Sequence, residues 1–192
     1  IGVSRFPEDA DSAEDLVKTA SIALGRARVN EYSVYSSTFN IETYRRHQLQ
    51  KSIRTAIRRN ELFLEYQPKV NAWSGTIVGA EALIRWQHPE LGMVSPGSFL
   101  PIAEEIGLMP HIGQWVLQSA CEQLARWLAG GLEGFRLSIN LAGQQIMQGG
   151  LATQVENLMK QHQLPAHTLE LEILETFVME NEAQTASVLL EL

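Results

Sequence analysis

Four stretches of the chain alternate apolar and polar residues with the two-residue period of a β-strand. In "FRLSINL", Phe135, Leu137, Ile139 and Leu141 share one phase while Arg136, Ser138 and Asn140 share the other. In "TLELEILE", Leu169, Leu171 and Ile173 oppose Glu170 and Glu172. "LFLEYQPKV" sets Leu64 and Tyr66 against Glu65, Gln67 and Lys69, and "GAEALIRW" sets Ala80, Ala82 and Ile84 against Glu81 and Arg85. Each pattern predicts a strand with one face suited to packing beneath helices and another that carries polar groups.

Between these strands the pattern changes. "NAWSG" is a short link between the first two, which predicts a hairpin. "HPELGMVSPGSF" reads as a long loop, followed by helices near residues 100–106 and 112–128. "AGQQIMQGGLATQVENLMKQHQ" reads as a loop and a helix. From residue 132 onward the order is strand, helix, strand, helix, which predicts a parallel sheet with helices outside it. Toward the N-terminus, "IGVSRF" predicts a short strand, and Ser12 or Asp11 can cap a helix with Leu16, Ala20, Ala23 and Ala27 on one stripe. "EYSVYSS" alternates like an edge strand, and residues 43–59 have helical spacing with a basic, solvated face.

For any one strand, a polar face can simply look at water. Strands that alternate with helices, however, tend to close around a common interior, and carboxylates facing it are costly unless paired or metal-bound. Glu81, Asn140 and Glu172 are then three oxygen donors from three strands. Such a set, without sulfur or a helical histidine pair, favours Mg²⁺ or Mn²⁺ over zinc. His88, His111, His162 and His167 lack ligand spacing and read as surface or locally hydrogen-bonded residues. No Gly-rich phosphate loop, Gly-x-Ser-x-Gly elbow or Cys-x-x-Cys occurs.

The formal net charge of −7 argues against a non-specific nucleic-acid binder. It leaves room for a small phosphorylated ligand, because a bound divalent cation reverses the local sign. Cys121, the single cysteine, lies in a helical run as a small core residue, and a lone thiol fits a reducing compartment. No run approaches the roughly 18 apolar residues of a membrane span. The chain begins on a strand-like run without methionine and stops within a helical pattern, so both ends read as cut from a longer protein.

"LEYQPKV", "EALIRW", "GMVSPGSFLPIAEEIGL", "LSINLA" and "LELEILE" stand in the order and spacing of an EAL domain, named for the Glu-Ala-Leu tripeptide found here at 81–83. The resemblance runs from about Arg46 to the end. EAL domains are TIM-like (β/α) barrels that hydrolyse cyclic di-GMP to linear pGpG with Mg²⁺ or Mn²⁺. The resemblance therefore implies an α/β chain holding about the first half of such a barrel. "IGVSRFPEDADSAEDLVKTASIALGRA" resembles the last strand and helix of a GGDEF domain, which implies a small α+β remnant and linker over residues 1–40 and the EAL part over 41–192. Ser21, Gly25 and Arg28 replace that family's Asp, Tyr and Lys, so the remnant is degenerate.

Carried over by position, the resemblance makes Glu81 the catalytic metal ligand, with Asn140 and Glu172 as further ligands. Arg85 would hold a ligand phosphate, and Gln67 would lie against a guanine edge. The implied chemistry is in-line hydrolysis of a phosphodiester with divalent cations neutralising the developing charge. Leu174 departs from the family's Glu-x-Thr-Glu. An Asp-Asp pair, a lysine, a later glutamate and a glutamine are also implied, and these fall beyond Leu192, so the fragment alone is expected to be inactive. The expected setting is a cytoplasmic domain of a larger GGDEF–EAL signalling protein, with dimerisation through the EAL domain. A barrel that binds cyclic di-GMP without turnover, as a receptor or regulatory module, is the alternative. A pure scaffold would have no reason to keep interior carboxylates.

Overall fold

The computed structural model describes the backbone of residues 1–192 and all side chains except those of residues 40–43. Two compact units divide it, Ile1–Lys51 and Ser52–Leu192.

In the first unit, β1 (Gly2–Val3) is followed by α1 (Ala13–Leu24) and β2 (Ser33–Val34), and α2 (Thr38–Ala56) begins. Ser12 is the cap of α1: its Oγ accepts from the Asp15 backbone N–H at 3.1 Å, satisfying a donor the helix leaves free. β1 and β2 pair in parallel over two residue pairs only, so "EYSVYSS" forms a shorter strand than its alternation predicts. α2 starts before residue 43, at Thr38.

The second unit holds the site. Its elements are β3 (Leu62–Val70), β4 (Ile77–His88), β5 (Gly92–Val94), α3 (Pro96–Glu105), α4 (Met109–Ala129) and β6 (Arg136–Leu141). They continue with α5 (Gly143–Gln148), α6 (Leu151–Gln161), β7 (Leu169–Ile173), α7 (Glu175–Glu180) and α8 (Glu182–Glu191). The sheet runs β3-β4-β6-β7, with β5 also on β4. β3 and β4 form the predicted antiparallel hairpin, whose link is folded by Asn71: its side-chain oxygen accepts from the backbone of Trp73 and Ser74 at 2.9 and 3.1 Å. β4, β6 and β7 are parallel, each joined to the next through helices. This is the order expected of the first part of a TIM-like (β/α) barrel.

The apolar phase packs as predicted on β4 and β6, while Leu64 and Tyr66 of β3 and Leu169, Leu171 and Ile173 of β7 are half-buried. Ala80, Ala82, Trp86, Leu137, Ile139 and Leu141 are buried with Phe99 of α3 and Leu117 and Leu124 of α4. Trp86 meets Phe99 edge-on at 5.4 Å, and Trp127 meets Tyr66 and Phe135 at 4.6 and 5.3 Å. Gly79 lets β4 approach β6, since a Cβ there would lie 2.5 Å from the Arg136 carbonyl oxygen. Pro68 sits in β3, an edge strand, where its missing N–H is tolerated.

Three local expectations are corrected. The loop after β4 contains β5, because Gly92 at φ +68° turns the chain back so that Val94 pairs with Trp86. α3 begins at Pro96 rather than near residue 100, since proline is preorganised for the first turn of a helix. The stretch read as a loop before α6 holds α5, whose first turn is tied down by Gln145 Oε1 accepting from the Ala142 N–H at 3.0 Å.

Candidate active site

Strand register collects the second phase of all four strands on one face. Gln67 stands opposite Glu81, Glu81 opposite Ser138, Ser138 opposite Glu170, and Asn140 opposite Glu172. On that face Lys69 of β3 reaches past β4 and β6 to bond Glu172 of β7 at 2.7 Å.

The structure brings Glu81 and Asn140 together: Asn140 Nδ2 donates to Glu81 Oε1 at 2.6 Å. Glu172 is their neighbour in register, but its Oε1 accepts from Lys69 rather than from Asn140. Glu81 Oε2 and Glu172 Oε2 accept no hydrogen bond among the described residues. Arg85 lies farther along the same face of β4, where its Nε donates to Glu65 Oε2 at 2.6 Å and its Nη1 to the Ile84 carbonyl at 3.0 Å. Gln67 is exposed at the β3 edge beside Glu81.

Below these residues runs a second set that sequence reasoning did not assign to the site. Ser138, fully buried, donates to Glu170 Oε2 at 2.6 Å and accepts from the Lys69 ammonium at 2.5 Å. Lys69 also reaches Glu170 at 3.4 Å, and Arg136 donates to the other Glu170 oxygen at 3.3 Å. The Ser138 hydroxyl, then Arg136 and Lys69, hold the Glu170 carboxyl below the ordinary carboxylate range. The bond to Glu172 raises Lys69 above the ordinary lysine value. The signal for this set was present, since each residue shares the phase of an assigned neighbour. Which of them meet depends on register and curvature.

Two carboxylates and an amide on adjacent strands fit a hard divalent cation by donor chemistry. Mg²⁺ in particular takes one or two carboxylates and completes its shell with water and phosphate oxygens. Among the described residues no group of three His, Cys, Asp or Glu forms a metal cage. The histidines stay outside the site. His88 is buried, its Nδ1 accepting from the Glu90 and Leu91 N–H groups at 3.1 Å while its Nε2 faces Ser52 Oγ at 3.0 Å. Among the described residues no helix is long and apolar enough to cross a membrane.

The EAL domain family matches residues 50–192. The chain is 38% identical to the bifunctional diguanylate cyclase/cyclic di-GMP phosphodiesterase MucR of Pseudomonas aeruginosa, over 194 residues that cover 100% of this chain and 28% of that protein. The cyclic di-GMP phosphodiesterase NbdA of the same organism is 32% identical over 192 residues, covering 98% of this chain and 24% of its own length. The chain therefore spans well under two thirds of these relatives. Among solved structures, the MucR phosphodiesterase in complex with c-di-GMP matches with a TM-score of 0.71 at 41% identity, covering 73% of this chain and 57% of that one. The FimX EAL domain of Pseudomonas aeruginosa bound to c-di-GMP shares the fold, with a TM-score of 0.67 at 23% identity over 74% of this chain and 57% of its own. The family match over most of the sequence, on a barrel sheet whose Glu-Ala-Leu strand faces Asn140 and Gln67, shows that this chain belongs to the EAL domain family.

Proposed function

We propose that the chain carries the N-terminal part of a Mg²⁺- or Mn²⁺-dependent phosphodiesterase that hydrolyses cyclic di-GMP to linear pGpG. In this reading residues 41–192 are the EAL part and residues 1–40 a degenerate GGDEF remnant with its linker. The EAL part is a cytoplasmic domain of a larger signalling protein, which segments outside this chain can anchor to a membrane, and it dimerises through that domain. The observation that carries the reading is the 2.6 Å contact between Glu81 and Asn140, on the face that also presents Glu172 and Arg85. Relatives that are cyclic di-GMP phosphodiesterases support the substrate.

When bound, the divalent cations activate water and neutralise charge on the phosphodiester. Glu81, Asn140 and Glu172 would hold them, and Glu81 is the residue on which turnover depends. Arg85 supplies a planar fork of donors for a phosphate, exchanging the Glu65 carboxylate for the ligand's oxygens. Gln67, at the exposed edge beside Glu81, offers an amide to a guanine edge. For residues 1–192 alone we propose no turnover, since two carboxylates and an amide are half of what two cations need.

The test is conversion of cyclic di-GMP to pGpG by the full-length protein, with Mg²⁺ and with Mn²⁺. Glu81→Ala should lower kcat at least about a hundred-fold, the scale of losing one stabiliser of transition-state charge. Turnover unaffected by Glu81→Ala would overturn the assignment. Binding without turnover, weakened by Arg85→Ala, would make the protein a receptor.

A further inference from the structure

Lys69 crosses more of the sheet than any other described site residue. Its backbone lies in β3 opposite Gly79, and its ammonium reaches Ser138 on β6 and both glutamates of β7. Its register partner on β4, Gly79, carries no side chain. The far end is fixed from beneath. Ser138 is fully buried and bonded both to Lys69 and to Glu170, while Glu170 is gripped in turn by Arg136.

We propose that Lys69 is a positioning residue for the Glu172 carboxylate. It holds Oε1 at 2.7 Å, so that Glu172 is presented as a ligand with one oxygen already committed and the other left for a cation. The inference rests on the metal-dependent reading above. Charge supports positioning over simple neutralisation. Lys69 shares its charge with Glu170 as well as Glu172, and Arg136 completes a set of two cations and two carboxylates. The lysine is therefore balanced locally, and the site keeps the negative charge that Glu81 brings. A ligating carboxylate is commonly oriented by a hydrogen bond to its second oxygen, and losing such a partner weakens metal affinity about 10–100-fold.

The experiment is a titration of the full-length protein with Mn²⁺ alone, following free Mn²⁺ by electron paramagnetic resonance, with no nucleotide present. Lys69→Met should weaken Mn²⁺ binding about 10–100-fold while Lys69→Arg restores part of it. Ser138→Ala, which removes the anchor of the ammonium, should shift affinity in the same direction as Lys69→Met. Glu172→Gln and Glu81→Ala serve as references. If they weaken binding while Lys69→Met leaves it unchanged or tighter, Lys69 is a bystander or a competitor of the cation and the inference fails. If the wild type binds no Mn²⁺, or the reference variants bind as it does, the metal-dependent reading fails first and takes the inference with it. Should Lys69→Met not fold, Ser138→Ala decides alone, and an unchanged Mn²⁺ affinity overturns the proposal.

Discussion

The Arg85 guanidinium, proposed to hold a phosphate, is kept in order by the protein itself. Its Nε and Nη1 are both engaged, by Glu65 and by the Ile84 carbonyl, so the side chain is held along the strand rather than free to sample rotamers. Glu65 is more than half exposed, so the pair is worth little and opens readily to a phosphate. Cys121 is the opposite case. It is completely buried in α4, and burial, with Glu122 adding to it, pushes its thiol up to about 11. Alkylation at pH 8 should therefore be negligible in the folded protein and complete in denaturant, as a thiol assay would report. Between the ordinary thiol value and about 11 the folded state keeps a proton that the unfolded chain releases. This contribution to stability is full below that interval and is lost as pH rises through it.

Two substitutions test the elements themselves. Leu174 is the N-cap of α7, it makes no side-chain cap bond, and it is 72% exposed. Leucine has no oxygen for the helix's free N–H groups, whereas the threonine of the Glu-x-Thr-Glu pattern would supply one. Leu174→Thr should stabilise the protein by about 1 kcal/mol in urea denaturation, with no change in the core. At β4, Gly79→Ala would drive a Cβ against the backbone of β6, where no flexible side chain can yield. A loss of about 1–3 kcal/mol by the same assay is expected, the range for forced overpacking. If Gly79→Ala is neutral, the close approach of β4 and β6 is not what holds their register.

At the scale of the whole chain, much was legible before any coordinates. Binary alternation marked the strands, and the residues Glu81, Arg85, Asn140 and Glu172 of one phase share one face of the sheet. The hairpin and the strand–helix alternation were legible too, because turn chemistry and periodicity are local. Short elements were not. β5 and α5 depend on a glycine turn and on one buried glutamine, signals weaker than a run of periodic residues. The site was legible as a list of residue types but not as a set of contacts. Glu81 and Asn140 are 59 residues apart in sequence and meet at 2.6 Å; Lys69 and Glu172, 103 apart, meet at 2.7 Å. Alternation along a strand depends only on neighbouring residues, so the sequence by itself determined which side chains share a face. Which of them touch depends on how strands from distant parts of the chain pair and how far the sheet curls, and that only the tertiary structure decided.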